Sequence, residues 1–154
     1  MRVVLLVFCC TILLSNPDRS TDPQRLERAI YEKINAYRVA RGLSRLEWSE
    51  RLAVQARAHS AAMARHKVSF GHSGFRQRVR ASGLPYRSAA ENVGHNQGFD
   101  DPASHAVKGW LESRGHRTNI EGDYDLTGVG VVRSRDGSFY FTQIFLQTPG
   151  TSRR

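Results

Sequence analysis

Leu126-Thr127-Gly128-Val129-Gly130-Val131-Val132, a turn at Asp136-Gly137, and Ser138-Phe139-Tyr140-Phe141-Thr142-Gln143-Ile144-Phe145-Leu146-Gln147 decide the fold. Asp-Gly between two alternating runs is a strong hairpin signal. The return strand carries Phe139, Phe141 and Phe145 on one side and Tyr140, Ile144 and Leu146 on the other. A strand that is apolar on both faces must be covered on both faces. In the first strand Gly128 and Gly130 alternate with Val129 and Val131, so one face is bare and another element can approach it closely. Helices precede the hairpin and separate it from an earlier strand. The expected fold class is therefore α+β: a three-layer α-β-α sandwich with a central antiparallel sheet.

Upstream, Asp22-Pro23 predicts a helix start, since Asp caps free amides and Pro suits the first turn. Leu26, Ile30, Ile34 and Tyr37 follow at helical spacing, and Gly42 supplies a left-handed terminator. Ser49 caps a second helix whose inner face reads Leu52, Ala56, His59 and Met63, with His59 expected as a satisfied core residue. The segment 68–74 is a loop built around Gly71-His72-Ser73-Gly74, and Phe75 to Ala81 is a short basic helix stopped by Gly83 and Pro85. Ala89 to Gly94 reads as a short strand. A helix from about Pro102 carries Ala103, Val107 and Trp110 on its inner face and is expected to end at Gly115.

The chain has 154 residues, which suits one domain. Val3 to Leu14 is apolar except for Thr11 and follows a single positive charge at Arg2. That stretch is shorter than the roughly 20 residues that span a bilayer and fits the apolar region of an export signal. The expected organisation is a signal peptide at 1–15, a disordered linker at 16–22, the folded domain at 23–148 and a basic tail at 149–154. Cys9 and Cys10 are the only cysteines, so the mature domain would hold no disulfide, which suits a bacterial exported protein. The net charge of +9 makes this a basic protein. Arg76, Arg78, Arg80 and Arg87 occur with no acid among them, and Arg57, Arg65 and Lys67 lie just upstream. That favours an anionic envelope polymer or lipid as partner, beside the plainer reading of a solvated surface. Export and the lack of any binding motif argue against nucleic acid. A secreted or periplasmic monomer, with no transmembrane helix in the mature chain, is expected.

A second set of residues has no reason to sit in a plain core: Gly71-His72, Ala90-Glu91-Asn92, and Ser113 to Ile120 after Trp110. Burying a lone carboxylate costs several kcal/mol, roughly, unless it is paired, so Glu91 is expected to meet a histidine. His72, His116 and Glu91 would make a three-ligand zinc site with an open position. Alternatively, Glu91 accepts hydrogen bonds from His72 and backbone amides and ties strand to loop. Ser113 and His116 form the better of two serine–histidine pairs, but no oxyanion site or acid accompanies them.

Several segments taken together resemble the CAP superfamily, also called the SCP or sperm-coating-protein family, in its bacterial, disulfide-free branch. They are Ile34-Asn35-Ala36-Tyr37-Arg38, Gly42-Leu43, Leu46-Glu47-Trp48, Ala58-His59-Ser60, Gly71-His72, Ala90-Glu91-Asn92-Val93, Trp110 to Ser113, Gly115 to Ile120, Gly128-Val129-Gly130, and Tyr140 to Phe145. The resemblance covers 24–147 and rests on the order of the pieces, not on any one. It implies an α-β-α sandwich with a large cleft, lined in many members by two histidines and two glutamates that in some hold a divalent metal. Carried over, His72 and Glu91 match the first histidine and glutamate. Ser113 stands where the second glutamate would be, with Glu112 one residue earlier, and Tyr140 stands in place of the second histidine. His116, within Gly115-His116-Arg117, would enter the cleft instead. The resemblance implies a non-catalytic binding module with a His/Glu cleft, acting at the cell envelope or outside the cell. The alternative is a metal-dependent hydrolase acting on a cell-wall or peptide substrate, with zinc in the cleft.

Overall fold

The computed structural model describes residues 21–150. The expected signal peptide, most of the linker and most of the basic tail lie outside the described residues. The elements are α1 (Pro23–Ala40), β1 (Glu47–Trp48), α2 (Glu50–Ala64), α3 (Phe75–Ala81), β2 (Ser88–Asn96), α4 (Pro102–Glu112), α5 (Arg114–Glu121), β3 (Leu126–Arg133) and β4 (Phe139–Gln147). The sheet runs β1-β3-β4-β2. β4 lies antiparallel between β3 and β2. The two-residue β1, absent from the sequence reading, pairs parallel with the start of β3.

The two faces of β4 explain the layers. Phe139, Phe141 and Phe145 join Leu26, Ile30 and Ile34 of α1, Trp110 of α4 and Ile120 of α5 in one core. Ile144 and Leu146 join Leu52 and Ala56 of α2 and Val79 of α3 in another. Each fully buried Leu, Ile or Phe contributes roughly 1.5–3 kcal/mol. The bare face of β3 is used as its glycines suggest. A Cβ on Gly128 would overlap the backbone of Leu52 and Ala53, and one on Gly130 the backbone of Ala56 and Arg57. Helix α2 therefore lies directly on β3, and its small Ala53 and Ala56, both fully buried, permit that approach.

Loops are fixed by side chains that the helices present. Asn35 clamps Leu46 twice: its Nδ2 donates to the Leu46 carbonyl (3.1 Å) and its Oδ1 accepts from the Leu46 amide (2.7 Å). Arg38, wholly buried, donates to the carbonyls of Ser44 (2.9 Å), Ile120 (2.6 Å) and Gly122 (2.9 Å). A buried guanidinium is tolerable because its donors are matched to oxygens.

One boundary departs from expectation. The helix begun at Pro102 stops at Glu112, not at Gly115. Ser113 is extended (φ −85°, ψ 121°), and Gly115 lies in the first turn of α5. The bend delivers Ile120 to the core at zero exposure, a packing gain that one straight helix would forgo. Arg117 Nη1 donates to the Leu111 carbonyl at 2.8 Å and satisfies an orphan acceptor at the end of α4.

Candidate functional site

β2 is the outer strand of the sheet, and its free edge is occupied by side chains. Trp110 Nε1 donates to the Val93 carbonyl (3.0 Å), and Asn119 Nδ2 donates to the Glu91 carbonyl (3.2 Å) and to Asn92 Oδ1 (2.9 Å). Asn92 Nδ2 in turn donates to the His116 carbonyl (3.1 Å). An unpaired strand edge is a liability, and here α4 and α5 cover it. They also fix the strand that carries Glu91.

Register places Glu91 opposite Ile144, hence on the α2–α3 face of the sheet. Its side chain is 1% exposed and meets Arg78 of α3. Arg78 Nε donates to Oε2 (3.0 Å) and Nη2 to Oε1 (2.8 Å). Arg78 Nη1 also donates to the Ser73 carbonyl (2.6 Å), so the same guanidinium holds the 71–74 loop. That loop turns on Gly71 (φ 145°) and Gly74 (φ 78°), conformations favourable to glycine. It brings His72 Nδ1 to 3.0 Å from Glu91 Oε1, with the imidazole side chain still 54% exposed. Against a carboxylate oxygen, Nδ1 carries the proton. In the neutral ring this leaves Nε2 as an acceptor.

Two further imidazoles flank this group. His59 of α2 is 4% exposed, and its Nε2 lies 2.7 Å from the Gly71 carbonyl. Burial pushes its pKa below the ordinary value against that hydrogen bond, and the Arg78 charge adds to the lowering. His116 is also pushed down, by burial and then by His72. Its Nδ1 is buried with no hydrogen-bond partner in the structure.

Of the residues expected from the sequence, His72 and Glu91 are brought into contact, and His116 lies near enough to His72 to be affected by its charge. Ser113 forms the bend between α4 and α5 and makes no side-chain capping bond. Glu112 pairs with Lys108 at 2.9 Å and is 64% exposed. Tyr140 lies opposite His95, four residues along β2 from Glu91 and so about 13 Å away at strand spacing. The sequence offers Arg78 as one of several cations open to an anionic partner, but not its pairing with Glu91. The available signal was its place on α3 immediately after the Gly71–Gly74 loop. His95 was also missed. It stacks on Tyr140 (5.8 Å between centroids, 27°) and meets Phe70 edge-on (5.2 Å, 64°).

The donor set does not fit a zinc ion. Both Glu91 oxygens already accept from a guanidinium, which supplies the positive charge a divalent ion would bring. Among the described residues no three His, Cys, Asp or Glu side chains are placed to hold a metal. The arrangement can instead orient an imidazole and present it to solvent beside a buried ion pair.

Comparison with known proteins agrees with this architecture. Residues 31–145 match the model of the CAP, or cysteine-rich secretory protein, family. The uncharacterized membrane protein YlbC of Bacillus subtilis is 36% identical over 126 residues, covering 79% of this chain and 34% of that protein. The uncharacterized protein YkwD of the same organism is 35% identical over 127 residues, covering 78% and 46%. This chain thus spans less than half the length of those curated relatives. An extracellular SCP-domain protein of Bacillus anthracis superposes with a TM-score of 0.73 at 25% identity, over 86% of this chain and 44% of that one. An outer surface protein of Borrelia burgdorferi also gives 0.73, at 18% identity over 83% and 96%, a likeness of fold alone.

Proposed function

The chain belongs to the cysteine-rich secretory protein (CAP) family, and on that premise we propose that it is a non-catalytic binding module acting at the cell envelope or outside the cell, with the His72–Glu91 cleft as its recognition surface. The observation that carries this reading is the engagement of Glu91. Both oxygens of this carboxylate are held at 2.8–3.0 Å by Arg78, and one also by His72, so its charge is already balanced by a guanidinium inside the protein. Such a group fixes geometry. It holds the loop, the edge strand and the imidazole in one arrangement before any ligand arrives, and a preorganised site loses less free energy on binding. A secreted or periplasmic location is part of the proposal. It draws on the apolar segment at Val3 to Leu14, and on relatives described as an extracellular protein and a membrane protein.

Zinc titration by calorimetry separates this from a metal-dependent hydrolase. The expected result is no stoichiometric uptake at micromolar zinc by the wild type. Uptake that disappears in His72→Ala would overturn the proposal in favour of the hydrolase.

A further inference from the structure

The basic run of the sequence divides on folding. Arg57 and Arg78 are bound to Glu27 and Glu91, whereas Arg65 at the end of α2 lines one hollow with Arg133 and Arg135 of the β3–β4 hairpin, which the sequence places far from it. Together with His66 they wall a cavity of about 720 Å³ whose one lining acid is Asp136. Asp136 is itself committed. Its carboxylate accepts from the Ser138 amide (2.9 Å), and that bond holds it below the usual carboxylate range. The end of α2 does not oppose an anion with free carbonyls. Ser134 Oγ donates to the Ala64 carbonyl (3.2 Å), and the amides of Arg65 and His66 donate to Ala61 and Met63.

His66, in the left-handed region at φ 54°, also lines a second hollow of about 430 Å³ with Lys67, Phe70 and Tyr140. Both volumes fall within the roughly 300–1,000 Å³ of ligand pockets. Val132 of the first hollow is the direct cross-strand neighbour of Tyr140 in the second, so the two adjoin on one face. Tyr140 and Phe70 line the second, and His95 braces both, stacked on Tyr140 and edge-on to Phe70.

We propose that these adjoining hollows bind an acidic glycan, with a sugar ring against Tyr140 and its anionic groups on Arg65, Arg133 and Arg135. Guanidinium forks match carboxylate and phosphate oxygens, and an aromatic face with its negative quadrupole receives the C–H face of a sugar ring. A lipid surface fits less well. Membrane insertion needs a cluster of exposed apolar side chains, and of the large ones exposed here (Val39, Val54, Phe70, Tyr86, Phe99) Phe70 alone lines these hollows. This inference rests on the envelope-binding reading for its partner class and uses none of Glu91, Arg78 or His72.

The test is calorimetry on the full chain with tetragalacturonate, maltotetraose and phosphatidylglycerol vesicles as probes. Tetragalacturonate should bind, with maltotetraose weaker by about tenfold or more, the loss of at least one charge-assisted contact. Arg133→Ala/Arg135→Ala should weaken tetragalacturonate by about tenfold or more, and Tyr140→Ala by roughly fivefold. Arg51→Ala/Arg80→Ala removes the same charge elsewhere and should stay within about twofold. Urea midpoints certify that each variant is folded. Equal loss in the Arg51/Arg80 variant, equal affinity for maltotetraose, or binding to vesicles alone would overturn the proposal. The zinc titration is indifferent to all of these outcomes, so the two readings fail separately.

Discussion

Among the described residues two carboxylates are buried, Glu27 and Glu91, and each is paired with an arginine from a different element. Glu27 of α1 accepts from Arg57 Nε at 2.8 and 3.0 Å and from Nη2 at 2.7 Å. Its Oε1 also accepts the Val131 amide at 3.0 Å. That amide lies on β3 beyond the short β1, which reaches only Leu126 and Thr127. Glu27 thus completes a sheet edge where a strand has run out. Glu91 lies on the opposite outer strand, and its third partner is an imidazole open to solvent. The same ion pair therefore serves closure at one edge and presentation at the other. What distinguishes a structural pair from a site is the third partner, not the pair itself.

The largest test of this contrast removes the arginines. Arg57→Ala and Arg78→Ala should each cost about 3–5 kcal/mol in urea unfolding, since each leaves a buried carboxylate unpaired. The second substitutions should then diverge. Arg78→Ala/Glu91→Leu should recover most of the loss, because an apolar replacement for a buried ion pair is often neutral. Arg57→Ala/Glu27→Leu should keep a deficit of about 1–3 kcal/mol, the cost of a buried Val131 amide without an acceptor. Equal recovery in both would remove the distinction.

This contrast was only half legible in the sequence. The hairpin, its doubly covered return strand and the glycine face of β3 could be read directly, because each follows from a local period. The meeting of Glu91 with a histidine followed from the cost of burying a charge. The choice of Arg78 over several neighbouring arginines did not. It depends on how α3 leaves the Gly71–Gly74 loop, a matter of backbone direction that residue spacing does not encode. Glu27 was invisible for a related reason: on α1 it is one charged residue among Arg25, Glu27, Arg28 and Glu32, and only the end of β1 exposes the amide it must meet. Arg133 and Arg135 likewise lie some seventy residues from Arg65 and join it through the tertiary fold.

Acid offers a second, smaller test. The pKa of His59 is lowered in the folded protein, chiefly by burial, so the unfolded chain binds a proton that the folded one refuses. Stability should be level above the ordinary histidine value near 6.5 and should fall as pH drops below it, by at most about 1.4 kcal/mol per pH unit for each such group. The fall should stop below the folded pKa. His116 adds a contribution of the same sign. Unfolding midpoints followed from pH 7.5 to 5 should show this slope, and His59→Gln should reduce it. The Glu27 edge carries no imidazole among its hydrogen-bond partners, so Arg57→Ala should leave the slope intact. A slope unchanged by His59→Gln would place the acid sensitivity away from the 71–74 loop that His59 contacts.

The smallest effect is the most informative for function. His72→Ala removes a hydrogen bond from a side chain that is 54% exposed, while Glu91 keeps both of its Arg78 contacts. The stability cost should therefore be under about 1 kcal/mol, as for exposed polar pairs. A residue that contributes so little to the fold, yet is oriented by a buried carboxylate and a glycine-hinged loop, is placed for what it presents to a ligand. If His72→Ala instead unfolds the domain at the cost seen for Arg78→Ala, the imidazole is a structural member of the pair. The Glu91 edge would then be closed in the same sense as the Glu27 edge.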